Sequence, residues 1–487
     1  MTTALHRRTA TELVAALRAR EVSAIELLDH YVARVERLNG GVNAVVATNL
    51  EAARASAARA DAALARGAEG ALLGLPMTIK DCFEVVGMPT TSGAPELAKH
   101  LAARNADAVD RLADAGVVIF GKTNTPLYAG DFQTTNEVYG TTRNPWDPTR
   151  VPGGSSGGSA AALAAGLTPL ELGSDIGGSI RNPAHCCGVY GHKASYGLVP
   201  LRGHIPSPPG ALADVDLGVA GPIARSAEDL ELALSVLAGA RAEQAHAWRV
   251  ELPAPRCARL AEFRVGLWLE DPAGPPIAAE VADLLAGAVD RIAAAGGRVD
   301  AAARPAIDPV QSYRVYLRLL YAALSPGLPP EVVAHLERVS AELPPDAATV
   351  DADLIRGAVG PHRAWLRDDE ERWQLRAQWR DYFEHVDVLL CPVLPIPAFP
   401  HDKTPIQDRV YDVDGKEIKS RDLLFWVGHV TVAGLPATAV PVGRTRAGLP
   451  VGMQVVAPYL EDRTSLAFAR AIADVVGGFV APPDYAD

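Results

Sequence analysis

The chain has 487 residues, 48% of them apolar and 21% charged, so it can bury a large core, which excludes global disorder. Its net charge of −12 argues against sequence-independent binding to DNA or RNA, which needs a basic surface. The five cysteines lack metal-ligand spacing, the N-terminus has no apolar signal segment, and no apolar run reaches the roughly 18 residues that cross a bilayer. The expected setting is therefore cytoplasmic, with free thiols, no metal, no cofactor, no nucleic acid and no membrane partner.

Taken in order, the chain opens with two amphipathic helices over 9–20 and 23–38. Thr9 and Ser23 are their N-caps, and Glu26 completes a capping box with Ser23. An alanine-rich helix follows over 51–66. The apolar segment 71–80 reads as a buried strand delivering Lys80 at its C-terminal end. A helix over 104–115 and a strand over 117–121 come next. Residues 126–150, broken by glycine and proline, read as loop and short helix.

A helix is expected over 159–166 and a short strand over 170–172, with a second helix starting at or just after Ser179. The pattern continues with a helix over 226–239, capped by Ser226 with Asp229, a strand over 263–269 and a helix over 278–295. Residues 305–385 are helix-rich and aromatic. A strand over 386–391, a polar hairpin over 410–419, strands over 435–441 and 448–456 and a helix over 463–476 complete the chain. This alternation predicts an α/β fold: one domain over 1–487 with a central twisted, mixed, largely parallel sheet flanked by helices on both faces.

Two motifs mislead. Residues 116–123 match the G-x-x-x-x-G-K-[ST] phosphate loop, but the four middle residues are themselves a strand, so the segment reads as a strand-end turn. Residues 153–157 match the G-x-S-x-G nucleophile elbow. The prolines in 143–152 deny that motif its preceding strand. His185 and His192 read as packed or capping residues.

What remains is two glycine-serine clusters, Gly153-Gly154-Ser155-Ser156-Gly157-Gly158 and Gly177-Gly178-Ser179, with Lys80 upstream. With Pro76–Asp81, Gly121–Asn124, Thr142–Asp147 and Gly173–Arg181, these pieces stand in an order that resembles the amidase signature family. The likeness is dense from about 70 to 240 and extends through Gly434–Ala437 and Gly448–Gly452. The resemblance implies a Ser179 nucleophile, a bridging Ser155 preceded by a cis peptide, and Lys80 as ultimate base. It also implies an oxyanion hole built from the amides of Ile176, Gly177, Gly178 and Ser179. Ser156, Asp175 and Arg181 are expected to support these groups, and Gly130 and Asp131 to lie beside the substrate.

The expected activity is hydrolysis of carbon–nitrogen bonds in small, partly hydrophobic linear amides through an acyl-serine. Two alternatives stand beside it: cleavage of aryl carbamates or esters, and an amidotransferase A-type subunit working with partner subunits. Residues 128–135 and 204–209 depart from the amidotransferase pattern. Residues 305–385 are expected to shape the substrate site. The face carrying Tyr313, Tyr316, Leu317, Leu320 and Leu324 reads either as core or as an apolar pocket. The expected partner is a small amide, and a homodimer is left open.

Overall fold

The computed structural model describes residues 4–344 and 347–487. Among the described residues, eleven strands form the central sheet. In chain order they are β1 Val45–Thr48, β2 Pro76–Lys80, β3 Val118–Thr123, β4 Glu171–Asp175, β5 Tyr190–Lys193, β6 Val219–Ala224, β7 Arg264–Leu267, β8 Arg298–Asp300, β9 Val388–Pro392, β10 Ala437–Arg444 and β11 Pro450–Val456. Across the sheet the order is β1–β3–β2–β4–β6–β5–β10–β11–β9–β7–β8.

The α/β class and the mixed sheet agree with the expectation, but the parallel share is smaller than expected. Among the described residues, only β2 with β3, β2 with β4, β7 with β8 and β7 with β9 pair in parallel. The physical reason lies at the centre. Strands β4 and β5 are joined through the helix Arg181–Cys187 and run the same way, yet β6 inserts between them and is antiparallel to both. The β10–β11 hairpin adds another antiparallel pair beside them.

Two apolar layers cover the faces. One includes Leu13, Leu17, Leu230, Leu285 and Phe468 from the N-terminal, middle and C-terminal helices. The other is built around the helices Gly157–Ala164 and Phe425–Val432, every residue of which is buried. Thr9 with Glu12 and Ser23 with Glu26 form capping boxes. Ser226 Oγ accepts the Asp229 N–H at 3.1 Å. The Asp229 carboxylate does not complete that cap. It accepts the N–H groups of Ala10 and Thr11 at 2.9 and 2.8 Å, holding the start of the first helix against the helix Ala227–Leu237. No helix among the described residues is long and apolar enough to cross a membrane.

Candidate active site

Lys80 is the last residue of β2 and is fully buried. Its Nζ lies 2.7 Å from Ser155 Oγ and 3.0 Å from Ser174 Oγ. Burial pushes the amine below the ordinary lysine range, against the weaker opposing pull of Cys82 and Asp175. Among the described residues no carboxylate forms an ion pair with it, so its two neighbours are hydroxyls that a neutral amine can accept from as well as donate to.

Ser155 is carried by the first glycine cluster, and the Gly154–Ser155 peptide is cis. A Cβ on Gly154 would stand 2.3 Å from the Asp131 carbonyl oxygen, so only glycine lets the two loops approach this closely. The Ser156 N–H donates to the Ser179 carbonyl at 3.1 Å, and the Ser156 hydroxyl to the Ser174 carbonyl at 3.4 Å. Ser156 thereby ties the first loop to the second.

The second loop leaves β4 at Asp175. Asp175 and Arg181 form a buried ion pair, with Arg181 Nη2 2.8 Å from Oδ1 and Nε 3.0 Å from Oδ2. Burial pushes the Asp175 carboxyl up, but the Arg181 guanidinium beside it outweighs that and holds it near about 2. Arg181 also donates to the Val427 carbonyl and the Thr431 hydroxyl, anchoring the loop to the helix Phe425–Val432.

One expectation needs correction here. The family likeness places the Gly178 N–H among the free donors, but it donates to Asp175 Oδ1 at 2.9 Å. Among the described residues the N–H groups of Ile176, Gly177 and Ser179 have no protein acceptor, so the donors open to a ligand are these three. Sequence reasoning could not separate Gly177 from Gly178, because the carboxylate that claims one of them acts through the shape of the turn.

Ser155, Ser179, Ile176 and Gly177 line one cavity of about 170 Å³. In this structure no hydrogen bond joins the Ser179 and Ser155 hydroxyls. Gly130 and Asp131 also line the cavity, where Asp131 is held by Arg409 at 2.8 Å. The aromatic helix Pro309–Leu324 divides its labour. Tyr313, Tyr316 and Leu317 are buried in the core, while Leu320, Tyr321 and Leu324 face the cavity. Tyr316 does reach the site indirectly, its hydroxyl donating to the Ile176 carbonyl at 3.0 Å. Leu201, His204, Pro206 and Val215 supply a further wall that sequence reasoning did not place there. The only signal for it was the unusual proline-rich run at 204–209.

The phosphate-loop match and the two histidines resolve as packing. Lys122 sits in β3, 3.2 Å from Asp81, and donates to the Phe83 carbonyl. His185 is held between Gly452 and Ile396, and His192 between Thr438 and Asp462. Among the described residues no group of three or more His, Cys, Asp or Glu side chains is placed to hold a metal ion.

A mixed α/β sheet delivering a buried lysine to a serine, beside a second serine and three amides without a protein acceptor, has the parts of an enzyme that transfers acyl groups to a serine hydroxyl. The chain belongs to the amidase signature family, whose Amidase model matches residues 26–466. It is 33% identical to the glutamyl-tRNA(Gln) amidotransferase A subunit of Chromohalobacter salexigens, over 96% of both chains. Its fold is similar to that of a bacterial aryl acylamidase of the amidase signature family, with TM-score 0.79, 26% identity and coverage of 99% of this chain and 98% of that one. The structure of the glutamyl-tRNA(Gln) amidotransferase A subunit from Thermotoga maritima gives 0.77 at 25% identity, covering 99% of each chain.

Proposed function

We propose that the chain hydrolyses small amides with an apolar acyl or aryl group, using Ser179 as nucleophile, Ser155 as relay and Lys80 as base. The observation that carries the chemistry is the 2.7 Å contact between a buried, carboxylate-free lysine and Ser155. Neutral Lys80 takes the Ser155 proton while Ser155 takes that of Ser179 Oγ, which attacks the substrate carbonyl. For this the Ser179 side chain must turn onto Ser155, a contact of the kind that tightens when substrate binds. The oxyanion is stabilised by the amides of Ile176, Gly177 and Ser179, whose N–H groups are free to receive it. On collapse the Ser155 hydroxyl protonates the leaving amine and recovers a proton from Lys80. Water then attacks the acyl ester by the same relay and releases the carboxylic acid.

The apolar acyl side rests on the wall formed by Leu320, Leu324, Leu201 and Val215. Both carboxylates lining the cavity, Asp131 and Asp175, are already paired with arginines. Residues 305–385 enter this reading as a substrate-shaping part through Leu320, Tyr321 and Leu324. The same acyl-serine would accept aryl carbamates and esters.

A second reading is favoured by the relatives' names: an amidotransferase A-type subunit that works with partner subunits. Those names support it more directly than they support the first reading, whereas the cavity wall favours the first. The deciding experiment assays the purified chain alone on anilides, aliphatic amides, aryl carbamates, esters and glutamine. Hydrolysis of apolar anilides with glutamine inert supports the first reading. Activity confined to glutamine, or appearing only with partner subunits, overturns it in favour of the second.

A further inference from the structure

A second cavity, of about 460 Å³, opens beside the helix His362–Tyr382, away from Ser155 and Ser179. Arg376 lies in its wall. Its Cζ stands 4.6 Å from the Trp373 ring centre, 5.8 Å from that of Tyr459 and 6.0 Å from that of Tyr196. Among the described residues no carboxylate or carbonyl accepts a hydrogen bond from this guanidinium, and its Nε is buried without a partner. The arginines around it are not like this. Arg372 pairs with Asp216 at 2.7 Å, Arg256 with Glu461 at 2.6 Å and Arg380 with Asp381 at 2.7 Å.

Ring faces offset part of a buried cation's charge. They cannot satisfy N–H groups that lie in the guanidinium plane, and a half-buried donor fork without an acceptor is costly. Burial, and then the nearby Arg372, already disfavours the charged form of Arg376. A planar acceptor of negative charge would complete the guanidinium's hydrogen bonds. Trp373 and Tyr459, 57% and 44% exposed, offer flat apolar faces around the same opening.

We propose that this cavity binds a small aryl oxyanion, its carboxylate or phosphate accepting from Arg376 and its ring stacking on Trp373. Nothing in this assignment depends on the chemistry of Ser179.

The test titrates benzoate and phenyl phosphate, at constant ionic strength, into the full chain and follows tryptophan fluorescence and thermal midpoint. Saturable binding is expected, weakened at least tenfold in Arg376→Gln and in Trp373→Leu, and unchanged in Ser179→Ala. Acetate is expected to bind at least tenfold more weakly than benzoate. A stronger response to benzoate makes the source a carboxylate, and to phenyl phosphate a phosphate. A response that does not saturate, an affinity unchanged in the variants, or binding lost in Ser179→Ala overturns the proposal. Trp373 is exposed, so its leucine variant keeps the test decisive should Arg376→Gln not fold.

Discussion

At the scale of single residues, the site is governed by which buried charges have partners. Lys80 has no ion-pair partner among the described residues, and burial lowers its pKa. A base must be neutral to act, so activity is predicted to rise with pH as Lys80 loses its proton, at a pH below that of a free lysine. Lys80→Ala should lower kcat/KM by about 10²–10⁴-fold and remove that rising limb, as read from a pH–rate profile. Asp175 is the opposite case. Its folded pKa is depressed, so the stability it contributes is complete above the ordinary carboxyl range and is lost as pH falls toward about 2. Asp175→Asn should cost about 3–5 kcal/mol in chemical denaturation, because it leaves the buried Arg181 cation uncompensated. Glu171 reverses the sign again. Burial, only partly offset by hydrogen bonds from Thr78, Ser159 and Thr123, raises its pKa to about 8. The native state therefore holds a proton the unfolded chain has lost, and stability declines as pH rises from about 4.5 to about 8. Glu171→Gln should match the wild-type thermal midpoint in acid and exceed it progressively up to pH 8. Lys80, Ser155 and Ser179 stand out as candidates because each sits inside a local pattern. The apportioning of the amides between Asp175 and a ligand was not, because it depends on how one turn folds back on its own carboxylate.

At the scale of elements, close approach explains why the helix Gly157–Ala164 begins with glycines. A Cβ on Gly158 would lie 2.4 and 2.5 Å from backbone atoms of Asn124. Alanine favours a helix by about 1 kcal/mol over glycine, yet here the clash is with backbone that cannot rotate away. Gly158→Ala is therefore predicted to destabilise by about 1–3 kcal/mol, read from the denaturation midpoint. The same logic shows where sequence reading of the fold ran out. Helices with caps, such as those begun by Thr9 and Ser23, were legible to within a few residues. Strands β5 and β6 were not, since Tyr190–Lys193 has no alternation and Val219–Ala224 contains Gly221 and Pro222. Both are buried throughout, which erases the period that marks a half-exposed strand. Missing β6 also hid the antiparallel centre of the sheet. The opposite error occurred at 71–75, where an apolar run that looked like strand forms turns ending in Gly74 with φ +84°.

At the scale of the whole molecule, the family is set by the ordered glycine, serine and lysine pieces, and the cavity beside Ser155 by segments far apart in the chain. The cavity draws on 128–132, 201–219, 320–324, 406 and 424, which meet only in three dimensions. Leu320→Ala should lower kcat/KM for apolar anilides about tenfold while leaving acetamide nearly unchanged, as a lost apolar contact would. Equal losses on both substrates would show that Leu320 does not line an acyl pocket. More basic than selectivity is the proposed arming of Ser179 by the buried lysine through Ser155. It is tested most directly by intact-mass analysis of the purified chain after reaction with a fluorophosphonate. One adduct is expected, mapped to Ser179, absent in Ser179→Ala and strongly slowed in Lys80→Ala and Ser155→Ala. An adduct on another residue, or labelling of Lys80→Ala at the wild-type rate, would contradict it.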